Sequence, residues 1–335
     1  MPGKDYPQTW AEIRSISYEV FRQKKPTRAD VWVDAGGGAE TGTTMRYQRQ
    51  VLDSIHLRMN AIHDIREVNL ATSFLDQDIK LPIVIAPMST HISGFVDKPF
   101  AELGKGAASA GVVGSVGFPS SRDQHQDMLA AGAPTFKIIK CLRDREQLIK
   151  ELQQADQDGC FAVGVDIDSA AGLKPGGDER RYEDFSAFPS VQELAEMRGA
   201  TKLPFIVKGV MSVMDAVSSV QAGADLIVVS SHGGFALDYG EAPAEVMPEI
   251  VAAVGDKVEI WMDSGIRRGT DVLKALALGA RGILIGRLAL WGLALDGGDG
   301  VAHVVDLLGA ELRRAMLLTG TETVTGVSPD ILVYS

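Results

Sequence analysis

Residues 204–234 read PFIVKGVMSVMDAVSSVQAGADLIVVSSHGG. Two short apolar runs rich in Val and Ile, 204–209 and 226–231, flank a stretch at 212–223 that has helix length and stops at a glycine. Short apolar runs of this kind are strands buried on both faces, and a terminal glycine is a normal helix stop. The stretch therefore reads as strand, helix and a second, parallel strand.

The same pattern continues in both directions. Further runs lie at 82–87, 112–117, 135–140, 161–167, 259–264 and 282–287, and the spacers 98–111 and 269–279 again end in glycine. Eight strands, each followed by a helical stretch, match a closed α/β (β/α)8 TIM barrel. An open doubly wound sheet has fewer strands and a glycine-rich turn after the first, and no G-x-G-x-x-G follows the first run here. Residues 1–80 read as a helical and loop extension covering one end of the barrel, and 81–335 as the barrel itself. The polar stretch 171–190 is longer than a usual strand-to-helix connection and falls where lids form.

Composition narrows the function. A chain of 335 residues with 45% hydrophobic and 23% charged content builds an ordinary folded core. A net charge of -11 disfavours partners held by phosphate-backbone neutralisation, so nucleic acid is not expected. The opening residues lack the regions of a signal peptide and no apolar run reaches membrane-spanning length, so the expectation is a cytoplasmic protein that does not engage a membrane. Cys141 and Cys160 are the only cysteines. They lack a zinc-site spacing and read as buried free thiols, and no metal site is expected.

In such a barrel the site forms where the strands end, which singles out Ser89, Ser115, Lys137, Lys140, Asp166, Asp168, Lys208, His232, Asp263, Arg267 and Arg287. Glycines and arginines follow the last two strands, in DSGIRRG (263–269) and GILIGR (282–287). Glycine lets backbone N–H groups approach phosphate oxygens and arginine adds charge-assisted contacts; two tight turns with solvated arginines would give the same spacing. Lys208 ends an apolar strand, where it either stabilises an electron-accepting ring or pairs with a strand-end aspartate. His232, followed by Gly233 and Gly234, is left open to a ligand and suits a general base. Asp166 is the favoured carboxylate to orient it and Asp168 the reserve.

Residues 81–87 (LPIVIAP), 207–211 (VKGVM), 228–234 (VVSSHGG), 263–280 (DSGIRRGTDVLKALALGA) and 285–287 (IGR) resemble the FMN-dependent 2-hydroxy-acid dehydrogenases and oxidases. The likeness covers about 81–320 and is densest from Val207 onward. It implies FMN as cofactor, with Lys208 at the flavin N1 and O2 region and His232 taking the hydroxyl proton while the substrate's α-hydrogen passes to flavin N5. Asp166 would pair with the histidine. Pro87, Met88 and Ser89 would pack along the ring, with Ser115 and Lys137 also at the cofactor. Asp263, Gly265, Arg267, Gly286 and Arg287 would hold the phosphate. A small hydroxy-acid substrate and a homo-oligomer, a tetramer by resemblance, are also implied.

The departures concern the substrate. The family's His-Gly-Gly-Arg ends here in Phe235, its N-terminal substrate-contacting Tyr is absent, the Gln and Tyr of its third strand become Lys137 and Ile139, and the Thr before its aspartate becomes Gly164. The base and flavin cradle are kept while substrate recognition is altered. Arg180 and Arg181, or Lys137 and Lys140, would supply the missing cation, and Phe235 an apolar wall for a bulkier hydroxy acid. Two other readings remain open at this point: an FMN barrel of another class, such as a type 2 isopentenyl diphosphate isomerase or a reductase, and a non-catalytic flavin-binding barrel.

Overall fold

In the computed structural model, which describes residues 6–33, 37–169 and 186–334, the eight runs form eight strands in chain order. These are β1 (Ile83–Ile85), β2 (Gly114–Gly117), β3 (Thr135–Lys140), β4 (Ala162–Asp166), β5 (Phe205–Val210), β6 (Leu226–Val229), β7 (Glu259–Met262) and β8 (Ile283–Ile285). Each pairs in parallel with its successor from β2 to β8, and β8 pairs with β1 at Ile283–Ile83 and Ile285–Ile85. Bridges Val84–Val113 and Met88–Val116 bring β1 against β2, which closes the barrel.

Alternation along the strands sorts the side chains. Val84, Val113, Phe136, Ile138, Ala162, Ile206, Leu226, Val228, Trp261 and Leu284 fill the interior, and the intervening residues join the core beneath the helices. A hairpin, Thr72–Phe74 with Gln77–Ile79, plugs the amino end. The Phe74 ring lies 4.9 Å from Trp261 and 5.1 Å from Phe136. Burying such a side chain contributes about 1.5–3 kcal/mol. Gly282 leaves the room this requires, since a Cβ there would sit 2.3 Å from the Trp261 ring.

The spacers are helices: Pro99–Ala110, Val213–Gln221 and Gly269–Ala277 all lie within the expected stretches. The last helix, Arg287–Thr319, breaks at Asp296 and Gly297, where the backbone leaves helical geometry. No helix among the described residues is long and apolar enough to cross a membrane.

The N-terminal residues do more than cover one end. While the hairpin fills the amino end, the helices Trp10–Lys24, Ala29–Val33 and Thr43–Ser54 join the outer core, and the second and third reach the carboxyl end. There the Ala39 amide donates to the Gly234 carbonyl at 2.9 Å, and Val31 and Trp32 line the cavity described next. Ile55–Leu57 also pairs antiparallel with Leu332–Tyr334, tying both parts of the chain together.

Candidate active site

A cavity of about 840 Å³, including the space at its mouth, opens at the carboxyl ends of β1 and β5 to β8. Its polar side chains follow from strand parity, because inward-facing residues two positions past the packed interior emerge at the open end.

Lys208 stands two residues beyond Ile206 on the inner face of β5. Its ammonium lies 3.4 Å from Asp166 Oδ1 and 3.4 Å from Asp263 Oδ2, and it donates to Ser230 Oγ at 3.0 Å. Burial works against the charge, but Asp166 and Asp263 outweigh it, so the lysine holds its proton more tightly than usual. The structure shows the pairing with strand-end aspartates, and Lys208 also lines the cavity.

His232 follows β6 with φ of +56°, a left-handed conformation uncommon for a residue with a side chain, and Gly233 and Gly234 continue it at +67° and +86°. The Ser230 hydroxyl accepts the His232 amide at 3.1 Å and so anchors the turn to the same atom that binds Lys208. The imidazole Nδ1 faces Asp168, 3.0 Å from Oδ1 and 3.2 Å from Oδ2. With Asp168 ionised, Nδ1 carries the proton and donates, leaving Nε2 as acceptor. Burial first, with Lys140 and Lys208 adding to it against Asp168 and Asp166, holds the imidazole below the usual histidine range, so the ring is neutral near pH 7.

The favoured pairing of His232 with Asp166 is thus corrected to Asp168. Asp166 ends β4 on its inner face and is taken up by lysines, with Lys140 Nζ at 2.7 Å from Oδ2 and Lys208 on the other oxygen. Asp168 lies beyond the strand, and room for it comes from Gly209. This glycine has φ of +95° at a bulge in β5, and a Cβ there would lie 2.7 Å from Asp168 Cγ. Asp166, Asp168 and His232 bring possible metal-ligand atoms within 4.8 Å of one another, but the two ammonium groups already neutralise this corner against a cation.

Arg267 and Arg287 line the cavity at its β7 and β8 end. Arg287 donates to the Gly233 carbonyl at 3.0 Å and the Val31 carbonyl at 3.2 Å, and its guanidinium lies 5.8 Å from the centre of the Phe235 ring. Arg267 lies over Trp291 at 5.8 Å. The loop carrying Arg267 is held by Asp271, which accepts its amide at 2.9 Å and pairs with Arg49 at 2.7 Å. Gly265 and Gly286 line the same end, and a Cβ at Gly286 would find only Ala86 nearby, at 3.9 Å, so the space above it is open. Ser264 joins this end to the base: it accepts the Gly233 amide at 2.9 Å and donates to Asp263 at 2.6 Å.

Pro87 and Met88 line the cavity, as does Phe235, which is buried. Three of the expected cofactor positions do not. Lys137 is on the outer face of β3, paired with Glu151 of a surrounding helix at 2.8 Å, so it is removed from the cofactor set. The inner positions of that strand are Phe136, Ile138 and Lys140, whereas Lys137 and Ile139 face outward. Ser115 faces inward but spends its hydroxyl on the Ile85 carbonyl at 2.5 Å, and Ser89 turns to His91 Nδ1 at 2.7 Å. Arg180 and Arg181 lie outside the described residues. Sequence reasoning missed Trp32 and His91, both in the lining, because neither lies at a strand end.

The cavity pairs a cationic, glycine-opened end with a buried ammonium beside an uncharged imidazole. That donor set fits a phosphate-bearing cofactor whose ring gains negative charge on reduction. The profile of the FMN-dependent dehydrogenase family matches residues 23–181 and 171–334. The chain is 32% identical to 2-hydroxyacid oxidase 2 of Rattus norvegicus, over 95% of this chain and 97% of that protein. It is also 32% identical to L-lactate oxidase of Nostoc sp., over 88% and 91%. A mandelate oxidase solved with 3,3-difluoro-2-hydroxy-3-phenylpropionic acid superposes with a TM-score of 0.85 at 30% identity, covering 98% of this chain and 99% of that one. The chain belongs to the FMN-dependent dehydrogenase family and is an FMN-dependent oxidoreductase.

Proposed function

We propose that this enzyme oxidises the CH–OH group of a 2-hydroxy acid to the 2-oxo product, with His232 as general base oriented by Asp168. The observation that carries the reading is the His232 imidazole in the cavity wall, held through Nδ1 by the Asp168 carboxylate, in a cavity that the Lys208 ammonium also lines. His232 Nε2 accepts the hydroxyl proton, and Asp168 stabilises the imidazolium that results. Bound FMN supplies the two-electron acceptor. Lys208 would hold the edge of the ring that gains charge, while Arg267, Arg287, Gly265 and Gly286 would hold the phosphate. Pro87 and Met88 would contact the ring.

The substrate side chain is bulky and apolar. Supporting this, the position after Gly234 is the buried Phe235, which lines the cavity where the family places an arginine. Names among the relatives span lactate and mandelate, so acids of both sizes are the relevant panel. Under anaerobic mixing, (S)-mandelate should reduce the flavin faster than glycolate or L-lactate. Faster reduction by glycolate would reject the bulky-substrate reading.

The enzyme acts in the cytoplasm as a homo-oligomer, a tetramer by family resemblance. Two buried free cysteines suit a reducing compartment, and exposed Met59, Ile62 and Tyr334 offer apolar surface for a second copy. Light scattering during gel filtration tests the assembly; a monomer at micromolar concentration would reject it.

A further inference from the structure

We propose that Lys140 and Ser169 are positioning residues for the base: together they hold Asp168 against His232 and offset the negative field of the carboxylates around the imidazole. The inference rests on the reading of His232 as base.

Lys140 is the last residue of β3, on its inner face, and its side chain is buried. Among its contacts, Nζ donates to Asp166 Oδ2 at 2.7 Å and to Ser169 Oγ at 2.8 Å. Ser169 in turn donates to Asp168 Oδ1 at 3.1 Å, the oxygen nearer to His232 Nδ1. Its own backbone is fixed by Ser186, whose hydroxyl donates to the Ser169 carbonyl at 2.8 Å. Lys140 therefore touches one aspartate directly and the other through a single buried hydroxyl. On the other side Gly209 leaves the space the carboxylate occupies, since a Cβ there would lie 2.7 Å from Asp168 Cγ.

The charges facing His232 come from every neighbouring strand end. β3 brings Lys140, β4 and its loop bring Asp166 and Asp168, β5 brings Lys208, β7 brings Asp263, and Arg287 after β8 bonds to the Gly233 carbonyl. Without Lys140, Lys208 at 3.4 Å is the remaining cation paired with Asp166 among the described residues, and the field at the imidazole turns more negative. The imidazolium is then favoured, and a base protonated at neutral pH cannot accept a proton.

The test follows His232 by NMR in the ¹⁵N-histidine-labelled FMN holoprotein, which has six histidines. The resonance is assigned by its loss in His232→Asn. Lys140→Met should raise the His232 titration midpoint by on the order of one pH unit. Lys140→Arg should restore it, and Ser169→Ala should raise it by a smaller amount. The acid limb of kcat/KM on (S)-mandelate or L-lactate should move with the midpoint.

An unchanged midpoint in both Lys140→Met and Ser169→Ala overturns the proposal. So does a rise in KM with a fixed pH profile, the mark of a lysine that binds the substrate carboxylate. If Lys140→Met does not fold, Ser169→Ala decides. If the midpoint shifts as expected while no 2-hydroxy acid reduces the flavin, the positioning stands and the oxidation reading fails, so the two are separable.

Discussion

Asparagine at position 168 and asparagine at position 166 should damage the enzyme in different ways. Asp168 receives Nδ1–H of His232 through oxygens at 3.0 and 3.2 Å. An amide of the same shape can donate to Nδ1, which puts the ring proton on Nε2, the atom that must accept. The lost charge-assisted bond costs about 1.5–3 kcal/mol. With the base in the wrong tautomer, the full effect should approach the value of general base catalysis, about 10²–10⁴ in kcat/KM. Asp166→Asn leaves the dyad intact but removes a buried carboxylate from Lys140 and Lys208. Breaking a buried pair from one side costs about 3–5 kcal/mol, so this variant should lose thermal stability and flavin before it loses the base. Anaerobic stopped-flow reduction by (S)-mandelate and L-lactate, with thermal unfolding of each holoprotein, measures both. Wild-type reduction rates in Asp168→Asn with a collapsed rate in stable Asp166→Asn would refute the division of roles.

Three further outcomes follow from the same geometry. Gly209→Ala forces a Cβ to 2.7 Å from Asp168 Cγ, and the displaced carboxylate should slow flavin reduction about 10–100-fold with flavin content unchanged. Arg267→Ala removes a cation from the glycine-opened end of the cavity; FMN affinity should fall about 10–100-fold, read as loss of the flavin bands on purification. His232 and His125 are both held below the usual histidine range, chiefly by burial. The unfolded chain then binds more protons below about pH 6.5, so Tm should fall between pH 6.5 and 5, and a flat profile there would contradict the buried neutral histidines.

All eight strands were legible because short Val- and Ile-rich runs alternating with glycine-stopped helices have one economical arrangement. The strand ends shifted by at most two residues, and those of β3 not at all, as hydrogen bonding rather than composition sets them. Facing was harder to read. Strands of a parallel barrel are buried on both sides, so the apolar pattern does not mark the interior. In TFKIIK a lysine lies on each face: Lys137 goes outward to Glu151, and only Lys140 reaches the site. Asp166 and Asp168 share a parity, and what separates them is the bulge at Gly209, a feature of a different strand. The contribution of Trp32 was hidden because the chain folds back over the barrel from fifty residues upstream of β1.

The most direct test of the central claim is the flavin absorbance of the holoprotein mixed without oxygen with (S)-mandelate, L-lactate and glycolate, beside His232→Asn. The structure calls for bleaching by at least one of these acids with no added reductant, and for a His232→Asn protein that keeps its flavin bands but does not bleach. Flavin that stays oxidised with all three acids yet bleaches with dithionite, or a His232→Asn protein that bleaches at the wild-type rate, would contradict it.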